Sequence, residues 1–172
     1  MSDVEIRPAG PADAERLTKL GAETFSDAFA HLYPPRDLAD FLAGAHASAR
    51  YAAWASDPAY GLWIAERDGA DVGYALAGPC HLPHLEVTPG CGELWRIYVR
   101  RQMQGCGLGA RLLAQSLDWL AAPGRRLWIG VWSGNHGAQR LYARRGFEKV
   151  GEYEFPVGHV RDHEFILSRK PA

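Results

Sequence analysis

The spacing of apolar residues along the chain predicts seven β-strands. Residues 4–7 alternate apolar and polar side chains, a pattern typical of a strand with one buried face. Residues 62–66 and 72–77 flank Asp68 and Gly69, a dipeptide that favours a tight hairpin turn. The complete set of predicted strands covers residues 4–7, 62–66, 72–77, 93–99, 127–132, 147–155 and 164–167.

Helical periodicity fills most of the sequence between these strands. The first helix is predicted to begin near Pro11, because Asp13 and Glu15 would then lie in its first turn, where the helix dipole favours acidic groups. Since helices are interleaved with strands and no linker or repeat interrupts them, we expect a single α/β domain over residues 1–172. Further helices are predicted over residues 36–47, 47–55, 108–122 and 135–145.

The helix predicted over residues 108–122 has a narrow polar face. Arg111, Gln115 and Asp118 form a stripe at positions i, i+4 and i+7, and apolar residues cover most of the remaining circumference. Such a helix packs against a sheet rather than lying on the surface. We therefore expect its N-terminus to be held rigidly, so that a ligand bound there has a fixed position.

Composition and charge narrow the function classes. The chain of 172 residues has 19 basic and 20 acidic side chains, and a net charge of −1 gives no field to hold a nucleic acid or an anionic membrane. The N-terminus carries acids where a signal peptide carries basic and apolar residues, and no stretch approaches the roughly 20 apolar residues of a membrane span. Three cysteines are too few for a secreted disulfide scaffold. We expect a cytoplasmic protein.

A glycine-rich segment before the long helix carries the main chemical signal. From Gln102 to Gly109 it reads Gln-Met-Gln-Gly-Cys-Gly-Leu-Gly. Glycines allow a tight turn that directs several backbone N–H groups inward, and the first turn of a helix adds unpaired donors at the positive end of its dipole. The segment therefore predicts a binding site for an anion such as a pyrophosphate.

Four interpretations of this segment are possible. Three are kinds of pyrophosphate site, and the fourth is a glycine-rich helix start that binds no ligand. Gly105, Gly107 and Ala110 satisfy a loose dinucleotide-binding pattern, but five residues separate Val99 from Gly105, and the next strand carries no acid for a ribose. A Walker A loop requires G-x-x-x-x-G-K-[ST], a string that the chain lacks. Nothing in the sequence argues against the third kind, a coenzyme A loop.

Two sets of residues resemble the GNAT superfamily of N-acetyltransferases. Gln102, Gly105 and Gly107 match its Q/R-x-x-G-x-G/A motif after a strand that ends in Arg-Ile-Tyr-Val. Downstream, a strand end with Asn135, then Leu-Tyr at Tyr142 and a Gly-Phe turn, resemble its second motif. The resemblance covers nearly the whole chain. It implies an acetyl-CoA-dependent N-acetyltransferase with a mixed central β-sheet of about six or seven strands, flanked by helices on both faces.

The resemblance also implies how acetyl-CoA would be held. Backbone amides of the glycine segment would bind the pyrophosphate, the backbone of the preceding strand would pair with the pantetheine arm, and Asn135 would fix the coenzyme at the second helix. One of several arginines could contact the ribose phosphate, or all could form a solvated basic face: Arg100, Arg101, Arg140, Arg144 and Arg145. The implied coenzyme-binding residues are Ile97, Val99, Gln102, Met103, Gln104, Gly105, Gly107, Leu108, Gly109 and Asn135.

Two residues are candidates for the chemistry of acetyl transfer, which needs a neutral amine and a proton for the leaving thiolate. Tyr142 lies seven residues after Asn135, about two helical turns, so both can face the same cleft. The resemblance places Tyr142 beside the sulfur as general acid. Glu93 matches a position where some members keep a general base, acting directly or through water; a solvated carboxylate is the alternative. Arg96 and Tyr98 alternate with Trp95, Ile97 and Val99, and one of these faces should line the acceptor cleft.

Other reactive side chains have simpler interpretations. Cys106 lies at a helix start, where a thiol could become reactive, but it occupies a variable position of the glycine motif. A zinc site could be drawn from the loop at residues 78–92, although its spacing is poor for a closed tetrahedral site. We expect direct transfer without a covalent intermediate and without a metal. The loop residues in question are Cys80, His81, His84 and Cys91.

The acceptor is the least determined part of the prediction. Several strings, among them Glu23-Thr24-Phe25 and residues 93–99, resemble the bacterial spermine/spermidine acetyltransferase-like branch, which implies a small primary amine such as a polyamine. Phe25 and Phe29 would cover its methylene groups. The candidate acidic lining is Glu23, Asp27, Glu93 and Glu154.

Alternative functions remain open at this point. A peptide or ribosomal-protein amine, an aminated antibiotic or another metabolite could be the acceptor. A non-catalytic acyl-CoA-binding module would keep the glycine loop but lack turnover. We expect a monomer or a homodimer.

Overall fold

A mixed β-sheet of seven strands forms the centre of the computed structural model, which describes residues 3–171. The strand order is β1-β2-β3-β4-β5-β7-β6. All neighbouring strands are antiparallel except β4 and β5, which are parallel. The strands are β1 (Glu5–Pro8), β2 (Gly61–Arg67), β3 (Ala70–Pro79), β4 (Gly92–Val99), β5 (Leu127–Trp132), β6 (Glu148–Val157) and β7 (Val160–Arg169).

Helices cover both faces of this sheet, as expected. In β2, Leu62 and Ile64 pack with α1 and α3, whereas Trp63 and Ala65 point to the other face and pack with α4. None of the helices within residues 3–171 is long and apolar enough to cross a membrane. The helices are α1 (Ala14–Phe29), α2 (Pro35–Ala45), α3 (Ser48–Ser56), α4 (Leu108–Leu120) and α5 (His136–Ala143).

The predicted strands are all present, and β7 is longer than expected. It begins at Val160 rather than at residue 164, and its first part pairs with β6 from Val157↔Val160 onward. Residues 161–163 are Arg-Asp-His, so the apolar pattern does not reveal them. The backbone hydrogen bonds to β6 make them a strand.

A β-bulge in β4 changes which side chains share a face. Leu76 of β3 opposes Arg96 and the next residue, Ala77, opposes Leu94, so Trp95 is the extra residue. Trp95 therefore packs on the same side as Arg96, over the cluster that contains α1 and α3. Simple alternation would place Trp95 with Ile97 on the opposite side, and the bulge corrects that expectation.

The parallel pairing of β4 with β5 is short. Only Gly92↔Leu127, Glu93↔Trp128 and Leu94↔Ile129 form the ladder, after which the two strands separate. The remainder of β4 stays paired with β3, and the remainder of β5 stays paired with β7. We call the space between residues 95–99 and 130–132 the β4–β5 gap.

Backbone groups of β4 point into this gap. The Arg100 N–H donates to the Val72 carbonyl at 2.9 Å, on the β3 side. Because successive residues of an antiparallel pair alternate in direction, the N–H and C=O groups of Ile97 and Val99 point away from β3 and into the gap. These are the two residues that the resemblance assigns to the pantetheine arm.

An ion-pair network attaches the start of α1 to the sheet. Arg7 of β1 donates to Asp13 and to Glu66 of β2, and Arg16 of α1 pairs with Asp13, Glu66 and Asp71. The hydrogen bonds from Arg7 lower the pKa of Asp13 to about 2, against its burial, and the Gly10 N–H and the charge of Arg16 act in the same direction. This attachment fixes the helix that carries Phe25 and Phe29.

The Asp13 carboxylate should make the protein sensitive to acid. Its folded-state pKa is below the ordinary value of 3.8, so its stabilisation is complete above that value and is lost as pH falls towards about 2. We expect Asp13→Asn to cost about 2 kcal/mol of unfolding free energy at pH 7 and to flatten the acid decline. Urea unfolding between pH 2.5 and 7 measures both. Asp40→Asn, at an exposed position of α2, is the control, and equal pH profiles for the two variants would contradict the prediction.

Candidate functional site

A cavity of about 320 Å³ borders the β4–β5 gap. Its walls come from α1, α2, α3 and α5 and from strands β4 to β7. Glu93, Asn135 and Tyr142, three of the residues singled out in the sequence, line it together. The fold therefore brings the second motif, β4 and the first helix to one cavity.

The glycine segment forms a concave turn beside the gap. Gly105 and Gly107 have φ angles of 77° and 84°, in the left-handed region that favours glycine, and α4 begins directly afterwards at Leu108. A Cβ on either glycine would project into open space, since no heavy atom lies within 4 Å of it. The Leu108 side chain is buried in the core, so its N–H is the group that it offers to a ligand.

Not every residue of the segment is available to an anion. The Met103 N–H, which the resemblance includes among the donors, donates to the Arg100 carbonyl at 2.8 Å, and the Met103 side chain is buried. The Gln104 N–H donates to the Arg101 carbonyl at 3.1 Å. These two amides therefore belong to the turn itself. The donors left for a pyrophosphate are those of Gly105, Gly107, Leu108 and Gly109.

The side chains of the same segment have other partners. Gln104 Nε2 donates to the Val99 carbonyl at 3.2 Å, so it occupies one backbone acceptor at the edge of the gap. Gln102 is exposed and borders a shallow depression beside Arg16. Cys106 Sγ donates to the Met103 carbonyl at 2.8 Å, back into the turn.

The gap and the glycine turn together fit a long ligand with amide groups at one end and phosphates at the other. The backbone of Ile97 and Val99 offers strand-like pairing to the amides, and the open space at Gly105 and Gly107 admits the phosphates to the N-terminus of α4. Acyl-coenzyme A has this arrangement of groups. Asn135 caps α5, with Oδ1 accepting the Ala138 N–H at 3.1 Å, and the residue also lines the cavity.

Tyr142 lies between the core and the cavity. It is only 5% exposed and contacts Phe147, with 6.5 Å between ring centroids. Burial raises its pKa well above the ordinary value, and Tyr98 and Glu164 raise it further. The hydroxyl is therefore protonated at neutral pH and available as a donor.

Glu93 is buried in the cavity wall, not solvated. It is 3% exposed, and its Oε2 accepts the His81 backbone N–H at 2.9 Å and lies 2.7 Å from His81 Nδ1. The His81 ring stacks on Trp95 with 4.0 Å between centroids. The loop between β3 and β4 thus returns to the strand and closes over Glu93. Sequence spacing gave no signal for this pair, because its members are twelve positions apart across an irregular loop.

A second carboxyl, half-buried and not singled out by the sequence analysis, lies across the cavity. Glu164 and Asp162 are two residues apart on β7 and therefore face the same side, where Tyr33 Oη donates to Asp162. Burial raises the pKa of Glu164 to about 7, the charge of Asp162 adds to this, and a hydrogen bond with Tyr153 opposes it. The acid-x-acid spacing in a strand was the available signal, but residue 162 lay outside the predicted strand.

Tyr153 approaches Glu164 through a space left by a glycine. A Cβ on Gly130 of β5 would lie 2.9 Å from the Tyr153 hydroxyl oxygen, closer than real Cβ atoms come. Burial raises the pKa of Tyr153, and the charges of Glu164 and Glu93 contribute. The hydroxyl thus lies within electrostatic range of Glu164 and Glu93, two of the three carboxyls that line the cavity.

The predicted acidic lining is largely wrong. Glu23 pairs with Arg100 at 2.7 Å, and Asp27 and Glu154 are exposed; none of the three lines the cavity. Helical and strand periodicity places these side chains away from the sheet's concave side. Phe25 and Phe29 do line it, as expected, with their centroids 5.0 Å apart.

The remaining polar candidates are held separately. Besides His81, the loop contains His84, whose Nε2 lies 3.3 Å from the Val150 carbonyl. Within residues 3–171, no three His, Cys, Asp or Glu side chains are grouped to hold a metal ion. Arg100 is paired with Glu23, and Arg101 donates to the Asp27 carbonyl at 2.9 Å. Of the five arginines near the motifs, those left exposed on and after α5 are Arg140, Arg144 and Arg145.

Comparison with known proteins bears directly on this site. Residues 22–147 match the Acetyltransferase (GNAT) family. An uncharacterised N-acetyltransferase of Mycobacterium bovis is 32% identical over 162 residues, which are 92% of this chain and 97% of the relative. The spermine/spermidine N(1)-acetyltransferase of Bacillus subtilis is 32% identical over 92 residues, 51% of this chain and 59% of the relative.

A solved structure shows the same fold. The PaiA N-acetyltransferase from Thermoplasma acidophilum, in a crystal structure with coenzyme A, superposes with a TM-score of 0.76. The match covers 98% of this chain and 99% of that one, with 16% sequence identity.

Substitution of Gly107 should remove coenzyme binding. A Val side chain there would strain a backbone at φ 84° and project into the space left for phosphates. We expect acetyl-CoA to raise the melting temperature of the wild type, by mass action, but not that of Gly107→Val. Thermal unfolding with and without acetyl-CoA measures this.

Gly124→Val is the matched control for this experiment. Gly124 has a φ of 72°, with open space around its Cβ position, and lies after the opposite end of α4. The two variants should lose comparable basal stability, but only Gly124→Val should keep the acetyl-CoA shift. A full shift in Gly107→Val, or stabilisation of the wild type by NADH and not by acetyl-CoA, would contradict the assignment.

Proposed function

The chain belongs to the Acetyltransferase (GNAT) family and is an acetyl-CoA-dependent N-acetyltransferase, and we propose that its acceptor is the primary amine of a small molecule. The observation that carries the proposal is the partly open cavity of about 320 Å³ beside the β4–β5 gap. Its volume suits a small acceptor, since ligand pockets of roughly 300–1,000 Å³ bury most of such a molecule. A peptide acceptor would need an open groove beyond it.

Acetyl-CoA, when bound, supplies the thioester that the amine attacks. The chain's part in binding is backbone pairing at Ile97 and Val99, N–H donors at Gly105, Gly107 and Leu108, and the amide of Asn135. The other residues named by the resemblance have indirect roles. Met103 anchors the turn in the core, and Gln102 and Gln104 shape its outer side.

Tyr142 is the general acid of the proposal. The support is its place in the cavity wall on the helix that Asn135 caps, where its hydroxyl is protonated and can donate. A thiolate that leaves beside it would receive that proton.

The amine must lose a proton before it attacks, and two carboxyls compete for that role. Glu93 is the candidate from the sequence, but its Oε2 already accepts from His81. Glu164 lies within electrostatic range of Tyr142, and its pKa of about 7 makes it a better proton acceptor for an ammonium than a carboxyl at the ordinary 4.5. Glu164 is therefore our proposed base, and Glu93 binds the ammonium on its way in.

A polyamine is the acceptor that the sequence resemblance favours. Similarity to the spermine/spermidine enzyme over half of the chain supports it, as do the three carboxyls of the cavity, Glu93, Asp162 and Glu164. Two arginines, Arg50 and Arg96, also line the cavity, and they oppose a ligand that is cationic throughout.

Catalysis itself is tested by a screen of amines with detection of the free thiol of coenzyme A. Turnover with small primary amines is expected. Tight binding of acetyl-CoA without turnover for any amine or peptide would indicate a non-catalytic acyl-CoA-binding module instead. Turnover with peptides alone would contradict the small-molecule acceptor.

Removal of the Tyr142 hydroxyl should slow the reaction without weakening coenzyme binding. Tyr142→Phe keeps the ring in the core, so we expect kcat to fall by about 10² or more while the Kd for acetyl-CoA stays within about twofold. Steady-state kinetics and isothermal titration measure the two quantities. Tyr60→Phe, at a position outside the cavity, is the control. Unchanged kcat in Tyr142→Phe would leave the hydroxyl with no chemical role.

The pH dependence should identify the base. A carboxyl that accepts a proton must be ionised, so kcat/KM should fall as pH drops below the Glu164 pKa of about 7. Glu164→Gln should remove this acidic limb and lower the rate by about 10² or more. Glu93→Gln should raise KM and keep the limb. If Glu93→Gln alone removes the limb, the assignment from the sequence is right and Glu164 is not the base.

A further inference from the structure

Two guanidinium groups at the cavity lie against the same aromatic ring. The Cζ atoms of Arg96 and Arg50 are 5.1 and 5.2 Å from the centroid of the Trp54 ring, and both arginines line the cavity. Among residues 3–171, no Asp or Glu forms an ion pair with either guanidinium. Two positive charges therefore lie against one ring without an ion-paired carboxylate.

The groups that do contact Arg96 are neutral. Its Nη1 donates to Tyr51 Oη at 3.0 Å and lies 3.3 Å from His46 Nδ1, and its Nη2 donates to the Ala45 carbonyl at 2.8 Å. Burial, together with the charges of Arg96 and Arg50, lowers the pKa of His46 to about 3, so His46 is uncharged at neutral pH. These contacts hold the guanidinium in place but do not neutralise it.

The absence of a counter-ion at Arg96 is local, because acids pair with arginines elsewhere in the described chain. Arg7 and Arg16 share Asp13 and Glu66, and Arg100 pairs with Glu23. A buried cation without a partner is costly unless an anion reaches it. At Arg96 the side that remains open is the cavity.

Two of the three acids of the cavity, Asp162 and Glu164, lie at its other end; the third, Glu93, is bound by His81, whose ring stacks on Trp95 beside Trp54. Phe25 and Phe41 are next to His46, with centroids 5.8 and 6.4 Å away, and so adjoin the arginines. Phe29 contacts Phe25 on one side and Trp132 of β5 on the other. Aromatic rings therefore separate a cationic end from the end where Tyr142, Asp162 and Glu164 lie.

We propose that Arg96, with Arg50, binds an acidic group of the acceptor, which is therefore a small amine that also carries a carboxylate or a similar anion, such as an amino acid. This inference rests on the proposed function and adds the substrate class. A planar guanidinium held from one side can present a pair of N–H groups to a carboxylate, the geometry that gives strong charge-assisted hydrogen bonds. The amine would then point along the aromatic wall towards Glu164, and a polyamine would meet like charge at the arginines.

Matched acceptor pairs test the proposal. L-amino acids with apolar, aromatic and cationic side chains are each compared with their own carboxamides, and spermidine and aminoalkyl phosphonates are included. Because the amine of a carboxamide loses its proton more easily, intrinsic reactivity favours the amide. We expect the opposite order in the enzyme, with kcat/KM higher for the acid by roughly 10- to 100-fold in the best pair. The phosphonates show whether another anion can replace the carboxylate.

The ratio of kcat/KM for acid and amide separates binding of the anion from general stability. In Arg96→Gln the ratio should fall to about one or below, whatever fraction of the variant is folded. Arg50→Gln, at an exposed position, should lower the ratio by a smaller factor. This variant replaces Arg96→Gln in the test if Arg96→Gln does not fold. Arg126→Gln is the control, because Arg126 also stacks on a tryptophan but pairs with Glu86 outside the cavity. Its ratio should equal that of the wild type.

Three results would overturn the proposal. One is equal or better use of the amides by the wild type, and another is spermidine as the best acceptor. The third is an acid preference that survives in both Arg96→Gln and Arg50→Gln. In each case the enzyme still acetylates amines, so the proposed function stands; loss of turnover with every acceptor would instead remove the function on which this inference rests.

Discussion

Parallel pairing between β4 and β5 ends at Leu94 and Ile129, and the site depends on that interruption. A continued ladder would satisfy the N–H and C=O groups of Ile97 and Val99 within the sheet and would fill the gap with backbone. The bulge at Trp95 accompanies the change, since an extra residue bends a strand and increases its twist. Because β4 stays paired with β3 and β5 stays paired with β7, the sheet remains continuous. The facing edges of β4 and β5 stay open to a ligand.

Packing around the gap keeps it from collapsing. On one face, α4 buries Leu108, Leu112 and Leu113 against the sheet, which fixes the helix N-terminus and the glycine turn before it. On the other face, the ion-pair network between α1 and the first strands fixes the helix that carries Phe25 and Phe29. The site is therefore formed between two rigid layers, and a ligand binds to groups that are already in place.

Charge divides the cavity into two ends with different chemistry. Burial favours the neutral forms of Glu164 and Tyr142, so the groups near the reacting atoms can hold or accept protons at neutral pH. Arg96 keeps its charge and lacks an anionic partner among the described residues. An acceptor with one positive and one negative group would match both ends, whereas a hydrophobic or wholly cationic one would match only part of the cavity.

The sequence by itself determined the features that depend on local interactions. Strand and helix positions followed from apolar spacing, and the anion-binding turn followed from Gly105 and Gly107, because only glycine adopts such φ angles at low cost. The cavity positions of Tyr142 and Glu93 followed from motif resemblance. Tertiary structure alone decided the bulge at Trp95, the loss of Met103 as a donor, and the approach of Glu164, Arg96 and His81 to the cavity. Those outcomes depend on strand register and on contacts between segments that are far apart in the sequence. The spacing of residue types along the chain reports neither.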